Sequence, residues 1–238
     1  MAGSPSSPPP DPAAALYQGR SGQQYHEGKR GVPALALPWI HRLRAEKFGA
    51  WVRPDDRVLE LGVGAGWNLA ALRCQHRLGC DAADNTAMRE QLRAAGIDFV
   101  ASLEDVPSTS IDVALCHHVL EHLLEPATAM RDLARIVKPG GLLILHVPWE
   151  HERRYRHFDP AEPNHHLHGW NVQSLGNLAT VLGWHIQHIR MRRYGWDRFA
   201  ARIAVRVHAT ERGFRLIRAV LIALNPLLEV ELVARRPA

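Results

Sequence analysis

Short apolar runs alternate along the chain with segments whose apolar residues recur at helical spacing. The nearly unbroken apolar run LLILHVP, residues 142–148, is typical of a parallel strand that is buried on both faces. Strands that alternate with helices in this way predict an α/β fold with a doubly wound parallel sheet. The strands predicted in this part of the chain are RVLEL, HRLGCD, IDFVAS, IDVALCHH and LLILHVP. The predicted helices are residues 38–51, WNLAAL, AMREQLRAAG, EPATAMRDLARIVKPGG and NVQSLGNLATVLGW.

Two further strands, HIQHIRMRR and EVELVARR, are separated by a long connection from Trp196 to Leu224. Arginines recur there at four-residue steps, each followed by an apolar residue, and a second apolar stripe begins at Phe214. Such stripes favour a core or a dimer surface, and peripheral membrane contact through a basic amphipathic helix is the alternative. The stripes comprise Arg198, Arg202 and Arg206; Phe199, Ile203 and Val207; and Phe214, Ile217, Leu221 and Leu224.

The length of 238 residues suits one domain with elaborations. Residues 1–15 are rich in Pro and Ser and are predicted to be a flexible tail. The domain is therefore expected to cover residues 16–238, with a lid near 150–170 and a helical insertion near 196–224. The net charge of +5 invites an anionic partner such as a phosphate, a membrane surface or nucleic acid, and a generally basic surface is the alternative.

The cysteines and the N-terminus bear on the compartment. Cys74, Cys80 and Cys116 form no CxxC pair and are predicted to be reduced thiols rather than a disulfide framework. The N-terminus has no basic segment followed by an apolar one, and no run approaches the roughly 18 apolar residues of a membrane span. We expect a cytoplasmic protein.

The stretch ELGVGAG places Gly62, Gly64 and Gly66 directly after the first strand. A dinucleotide-binding loop has its third glycine three positions after the second, where this chain has Trp67. The loop also has no Lys-Ser or Lys-Thr pair, which excludes a P-loop. About twenty residues after the strand begins, Asp81 follows the second strand and can accept both hydroxyls of a ribose. Asp84 competes for that role but is predicted to cap the next helix.

Taken together, these motifs resemble the class I S-adenosylmethionine-dependent methyltransferases. The matching segments are VLELGVGAG, GCD, ASLEDVP, IDVALCHHVLEHL and LARIVKPGGLLILHVP, in that family's order and spacing. The resemblance is closest to the branch with an LEHL helix start after the fourth strand. It implies a Rossmann-like, mostly parallel seven-stranded sheet with an antiparallel last hairpin, and S-adenosylmethionine as the cofactor.

The resemblance also implies which residues bind the cofactor. Glu60 would orient the glycine loop and the amino group, and Asp81 would bind the ribose. Ser102 and Leu103 would lie against adenine, although the family usually has an acidic residue in place of Ser102, for which Glu104 is a substitute. The remaining cofactor contacts are Gly62, Gly64, Gly66 and His117, the last beside the sulfonium.

Methyl transfer from a sulfonium depends mostly on alignment, and a hydroxyl acceptor also needs a base. His118, at the end of the fourth strand, is the first candidate for a catalytic base. The alternative is that His118 only packs under the cofactor. Glu121 and His122 are predicted to start and cap a helix rather than to act in catalysis.

A histidine-rich segment follows the fifth strand, where this fold usually has its substrate-binding loops. We interpret it as a lid that binds a polar acceptor, and the arginines at positions 153, 154 and 156 would suit an anionic one. A metal site is the alternative, but the sequence shows no further ligands near these histidines. The predicted acceptor-binding residues are Tyr155, His165, His166, His168 and Trp170.

The favoured function is therefore methylation of a small-molecule, sugar or lipid-linked acceptor. Nucleic acid is less favoured, because the fourth strand ends in CHHV without the Asn/Asp-Pro-Pro-aromatic signature of base-amino methyltransferases. The other alternative is a regulatory module that binds the cofactor without turnover.

Overall fold

The computed structural model describes residues 31–150, 157–158 and 164–238. Within these residues, seven strands form one sheet in the order β3-β2-β1-β4-β5-β7-β6. Strands β1 to β5 run parallel, and β7 is antiparallel to both of its neighbours. This arrangement confirms the predicted doubly wound sheet and its reversed last hairpin. The strands are β1 Arg57–Leu61, β2 His76–Cys80, β3 Asp98–Val100, β4 Ile111–His117, β5 Val137–Pro148, β6 His185–Tyr194 and β7 Leu227–Arg235.

Helices cover both faces of the sheet in the described part of the chain. Helix α4 begins with a capping box, in which Asn171 and Ser174 each bond the other's backbone N–H. Helix α3 begins with Pro126, whose missing N–H costs nothing in the first turn. The helices are α1 Leu37–Gly49, α2 Thr86–Ala94, α3 Pro126–Ile136, α4 Val172–Val181, α5 Asp197–Arg206 and α6 Glu211–Leu224.

Alternating residues of the central strands enter cores on opposite faces of the sheet. Leu59 and Cys116 pack on one face, and Val58 and Leu115 pack on the other, all of them nearly inaccessible to solvent. Burial of each such side chain stabilises the fold by about 1.5–3 kcal/mol. Because β1, β2, β4 and β5 are parallel, their carboxyl ends share one edge, and the loops that follow them meet there.

The long connection between β6 and β7 consists of α5 and α6, which pack against α1. Ala200, Ala201 and Ala204 of α5 are fully buried beside Ile40 of α1, and Phe214 of α6 joins them. The predicted stripes only partly form this core. The predicted stripe residues that are exposed instead are Phe199, Val207 and Leu224. The face of α5 that packs on α1 consists of the alanines, whose small side chains allow the two helices to approach closely.

The predicted helix WNLAAL is wrong, because residues 67–71 form turns and residue 72 lies outside any helix. The amide of Ala70 reaches the carbonyl of Gly66, which closes a single helical turn. The side chain of Asn68 turns inward to Glu60, and the chain must reach His76 at the start of β2. A longer helix does not fit into this short connection.

Two predicted caps are also wrong. The N-cap of α2 is Asn85, whose side chain accepts from the amide of Met88 at 2.9 Å, whereas Asp84 pairs with Arg89. Glu121 and His122 lie in a short 3-10 turn, Leu120–His122, and the next helix starts only at Pro126 after Glu125.

Several expectations fall outside the described residues, namely the flexible tail 1–15, the start of the domain at residue 16, the arginines at 153, 154 and 156, and Tyr155. Among the helices of the described chain, none combines the length and the apolar character that a bilayer crossing requires.

Candidate functional site

The glycine loop follows β1 and is hydrogen-bonded to the end of the neighbouring strand β2. The amides of Gly62 and Val63 both bond the carbonyl of Cys80, at 2.7 and 3.2 Å. Gly62 and Gly64 have φ of +74° and +47°, a region that favours glycine. A Cβ on Gly62 would collide with Val119, whereas one on Gly64 would meet no atom within 4 Å. Gly62 is therefore needed for packing, and Gly64 borders open space.

Asp81 follows β2 directly and holds this loop. Its Oδ2 accepts from the amide of Gly64 at 2.8 Å, and its Oδ1 accepts from the amide of Ala83 at 2.9 Å. Asp84 is instead solvent-exposed and forms two hydrogen bonds with Arg89, at 2.5 and 2.6 Å. Of the two aspartates, Asp81 is thus the one beside the glycine loop.

Glu60 lies in β1 below the loop and is 1% exposed. Its Oε1 accepts from the side chain of Asn68, whose own oxygen accepts from Arg44 at 3.2 Å. Its Oε2 is buried and has no hydrogen-bond partner among the described residues. Burial, only partly opposed by the bond from Asn68, raises the pKa of Glu60 to about 8. An ammonium group bound above the loop would satisfy this oxygen and favour its ionised form.

Ser102 and Leu103 follow β3 at the same edge. The hydroxyl of Ser102 accepts from the amide of Glu104 at 3.1 Å and caps the 3-10 turn Leu103–Asp105. Leu103 is buried, and its carbonyl accepts from Arg135 at 2.7 Å. Both residues are anchored, but Ser102 offers no acidic group, and Glu104 is exposed. The adenine contacts stay a prediction.

At the end of β4, His117 and His118 belong to a buried polar network that reaches two distant elements. Nζ of Lys47 in α1 donates to His117 Nε2 at 2.9 Å and lies 2.6 Å from Oε1 of Glu229 in β7. Nε2 of His118 lies 3.1 Å from Oε2 of the same glutamate. The two imidazoles stack at 4.4 Å, and the Tyr194 ring meets His118 edge-on at 5.0 Å.

The electrostatics of this network favour neutral imidazoles and an ionised Lys–Glu pair. Burial holds the pKa of His117 well below 6.5 and lowers that of His118, although Glu229 opposes the shift at His118. Burial lowers the pKa of Lys47 to about 8. Burial alone would raise the pKa of Glu229, but Lys47 and His118 outweigh it and hold that pKa well below its usual range.

The sequence reasoning missed Lys47 and Glu229. A signal was present in EVELVARR, where Glu229 and Glu231 alternate with apolar residues and therefore point to the same face of a strand. Both glutamates are 1% exposed, and buried carboxylates require partners. The partner of Glu231 is His146 at 3.1 Å, together with Arg190 and Arg192.

The predicted histidines of the lid point to different places. His166 bonds Glu150 at 2.5 Å, and its ring lies 4.7 Å from that of His122. The ring centroids of His168 and Trp170 are 5.8 Å apart, and His165 is exposed. The carbonyl of Glu121 accepts from the amides of Leu167 and His168, which ties this segment to the turn after β4. The structure thus adds Glu121 and His122 as neighbours of His166, which the sequence had not suggested.

Comparisons with known proteins identify the family of this chain. A family model described as a methyltransferase domain matches residues 29–189. A probable S-adenosylmethionine-dependent methyltransferase of Mycolicibacterium smegmatis is 26% identical over 170 residues, covering 67% of this chain and 65% of the relative. A ubiquinone biosynthesis O-methyltransferase of Hahella chejuensis is 30% identical over 98 residues, covering 37% of this chain and 41% of the relative. The chain spans less than two thirds of the length of either relative.

A solved structure shares the fold. The 1,6-didemethyltoxoflavin-N1-methyltransferase of Burkholderia thailandensis, determined with 1,6-didemethyltoxoflavin and S-adenosylhomocysteine bound, superposes with a TM-score of 0.64. The match covers 100% of this chain and 94% of that one at 15% sequence identity.

Proposed function

The chain belongs to the methyltransferase-domain family, and from that premise we propose that it transfers a methyl group from S-adenosylmethionine to a small-molecule acceptor. The observation that carries the proposal is the hydrogen bond from the amide of Gly64 to Oδ2 of Asp81 at 2.8 Å. Nearby lies the buried carboxylate of Glu60, of which Oε2 has no hydrogen-bond partner among the described residues. This arrangement offers a carboxylate for a ribose and another for an ammonium group, on either side of a loop with open space.

The described residues fit the cofactor that the family uses. Glu60 Oε2 would accept from the amino group, and Asp81 would exchange its bond to the Gly64 amide for bonds to ribose hydroxyls. The absence of a side chain at Gly64 leaves room for the cofactor to approach the backbone. When bound, the cofactor supplies a methyl group on a positively charged sulfur.

We assign His118 as the base for a hydroxyl acceptor. Glu229 accepts from Nε2–H of His118, which leaves Nδ1 as the nitrogen with a free lone pair. This nitrogen would take the proton of the acceptor's hydroxyl, and the acceptor's oxygen would gain the methyl group that the bound cofactor supplies. The lowered pKa of His118 keeps it neutral, and so able to act as a base, at pH 7.

A small-molecule acceptor is supported by the acceptors that the names of the relatives imply. One relative is named for ubiquinone biosynthesis, and the solved neighbour holds a didemethyltoxoflavin. An anionic acceptor, peripheral membrane contact and a cytoplasmic location remain predictions from the sequence. Tyr155, His165, His166, His168 and Trp170 likewise stay predicted acceptor contacts.

Binding and turnover measured together test the function. S-adenosylmethionine and S-adenosylhomocysteine should each raise the melting temperature. A ligand present at one hundred times its Kd raises the free energy of unfolding by about 2.7 kcal/mol. Label from methyl-tritiated S-adenosylmethionine should then enter small metabolites of a cell extract but not RNA or DNA. Stabilisation by NAD alone would contradict the cofactor. Label in nucleic acid, or binding without any transfer, would favour one of the two alternative functions.

Replacing Asp81 with alanine should weaken S-adenosylhomocysteine binding about 10- to 150-fold in calorimetry. The loss corresponds to charge-assisted hydrogen bonds worth about 1.5–3 kcal/mol. Asp84→Ala is the matched control, because that carboxylate pairs with Arg89 in solvent, and it should leave Kd unchanged within about two-fold. Equal losses in the two variants would mean that Asp81 does not bind the ribose.

A further inference from the structure

We propose that Glu121, His122 and His166 bind a divalent metal ion. One carboxylate oxygen of Glu121 and one ring nitrogen of each histidine lie within 4.8 Å of one another. Glu121 is fully buried, and the side chain of His122 is only 11% exposed. Ligand atoms around Zn²⁺ lie roughly 3–4 Å apart, so side-chain shifts below about 1 Å would close the site.

The backbone brings these three residues together from two parts of the chain. The carbonyl of Glu121 accepts from the amides of Leu167 at 2.7 Å and His168 at 3.1 Å. His166 immediately precedes these two donors, so the same hydrogen bonds that hold the segment also fix the histidine beside the turn Leu120–His122. The arrangement is preformed by main-chain bonds rather than by chance contact of long side chains.

Glu150 gives His166 the second interaction that metal-binding histidines generally have. Its Oε1 lies 2.5 Å from Nδ1 of His166, and the side chains of both residues are 13% exposed. A carboxylate that accepts from one ring nitrogen fixes the tautomer and leaves the other nitrogen with its lone pair available to a metal. Nε2 of His166 is thereby the metal-binding atom.

His117, His118 and Glu229 form a second group of possible ligands, but this group already has a cation beside it. The ammonium of Lys47 lies 2.6 Å from Glu229 and 2.9 Å from His117, which is where a metal cation would have to bind. The ammonium of Lys47 already compensates the negative charge of Glu229 there. The proposal therefore does not extend to the group formed by His117, His118 and Glu229.

Two imidazoles and one carboxylate suit a first-row divalent cation such as Zn²⁺, Fe²⁺ or Mn²⁺ rather than Ca²⁺. The described residues supply three ligands, and a tetrahedral ion would take its fourth from elsewhere, for example from water or an oxygen of a ligand. Glu121 and His122 follow β4 and Glu150 follows β5, so the ion would lie at the carboxyl edge of the sheet. That the fourth position receives an oxygen of the acceptor rests on the proposed function, whereas the ion site itself does not.

Metal content of the full-length, tag-free protein tests the site without reference to activity. The protein is stripped with a chelator, titrated with Zn²⁺ in a calorimeter, and analysed for bound metal after dialysis. We expect one Zn²⁺ per chain, and loss of that ion in His122→Ala, His166→Ala and Glu121→Gln. His185→Ala, an exposed histidine on β6, is the matched control and should retain the ion.

Two further measurements keep the test decisive if a ligand variant unfolds. Glu150→Gln should keep the ion but weaken its binding about 10- to 100-fold. Co²⁺ in place of Zn²⁺ should give visible d–d absorption that changes in Glu150→Gln and not in His185→Ala. The proposal is overturned if the wild type binds no Zn²⁺, if folded His122→Ala and His166→Ala bind it unchanged, or if His118→Asn is the variant that loses it.

Discussion

Replacing His118 with asparagine is expected to lower kcat by about 10²–10⁴-fold, the range for loss of a general base. Asparagine is the appropriate substitute because His118 has φ of +57°, a conformation that asparagine adopts readily. The amide keeps a polar group beside Glu229 but cannot accept a proton from the acceptor. Affinity for S-adenosylhomocysteine should stay within a few-fold, since the histidine acts on the acceptor.

The pH profile distinguishes a base from a packing residue. Because the pKa of His118 is lowered, its proton leaves at a pH below 6.5, so kcat/KM should be level near pH 7 and should fall as pH drops through that lowered pKa. The groups that face His118 are Lys47, His117, Tyr194 and Glu229. Glu229→Gln, which removes the interaction that raises this pKa, should move the acid limb to lower pH.

If His118→Asn turns over as fast as the wild type and its kcat/KM falls at the same acid pH, this histidine only packs beneath the cofactor. A loss of cofactor affinity as large as the loss of turnover would also contradict its assignment as a base. His185→Ala serves as the control, because this histidine is exposed at the start of β6.

Replacing Glu229 with alanine should lower the free energy of unfolding by about 3–5 kcal/mol, the usual cost of leaving one member of a buried ion pair without its partner. The carboxylate is 1% exposed and lies 2.6 Å from the ammonium of Lys47, whose side chain is 15% exposed. Urea unfolding followed by circular dichroism measures the loss. Lys138→Ala, which breaks a pair with Asp112 that is partly in solvent, should cost less than about 1 kcal/mol.

The double variant Lys47→Met/Glu229→Leu should recover most of the stability, because an apolar pair of similar volume leaves no uncompensated buried charge. The pH dependence follows from the lowered pKa of Glu229. Its contribution is fully present above the unfolded value near 4.5, and it is lost as pH falls towards the folded value. A Glu229→Ala protein as stable as the wild type at pH 7 would mean that the pair is not closed in solution.

The parts of the candidate site that could be predicted from the sequence are those built from residues close together along the chain. Gly62, Gly64 and Asp81 were recognisable because a loop and the end of the next strand are separated by fewer than twenty residues and are joined by a parallel pairing. The parts that could not be predicted depend on residues far apart in sequence. Lys47 and Glu229 are separated by 182 positions, and only the placement of β7 in the sheet brings them together.

Local patterns were also misleading where a side chain had a competing partner. Asn68 bonds Glu60 from a turn where a helix was predicted, and Asn85 rather than Asp84 caps α2. The histidines of the lid were predicted from their place after the fifth strand and from their residue type, which could not show that His166 would meet Glu121 and His122. Composition identifies the chemistry that is available, whereas the pairing of β4 and β5 determines which groups meet.

The position of β7 has a consequence for the order in which the protein becomes active during synthesis. This strand is the last of the described strands, yet it lies between β5 and β6 and carries Glu229, whose Oε2 is 3.1 Å from Nε2 of His118. A nascent chain could therefore form the contact between Gly64 and Asp81 while Glu229 is still within the ribosome. On the proposed function, such an intermediate would bind the methyl donor before Glu229 reaches His118, and so before His118 could act as a base.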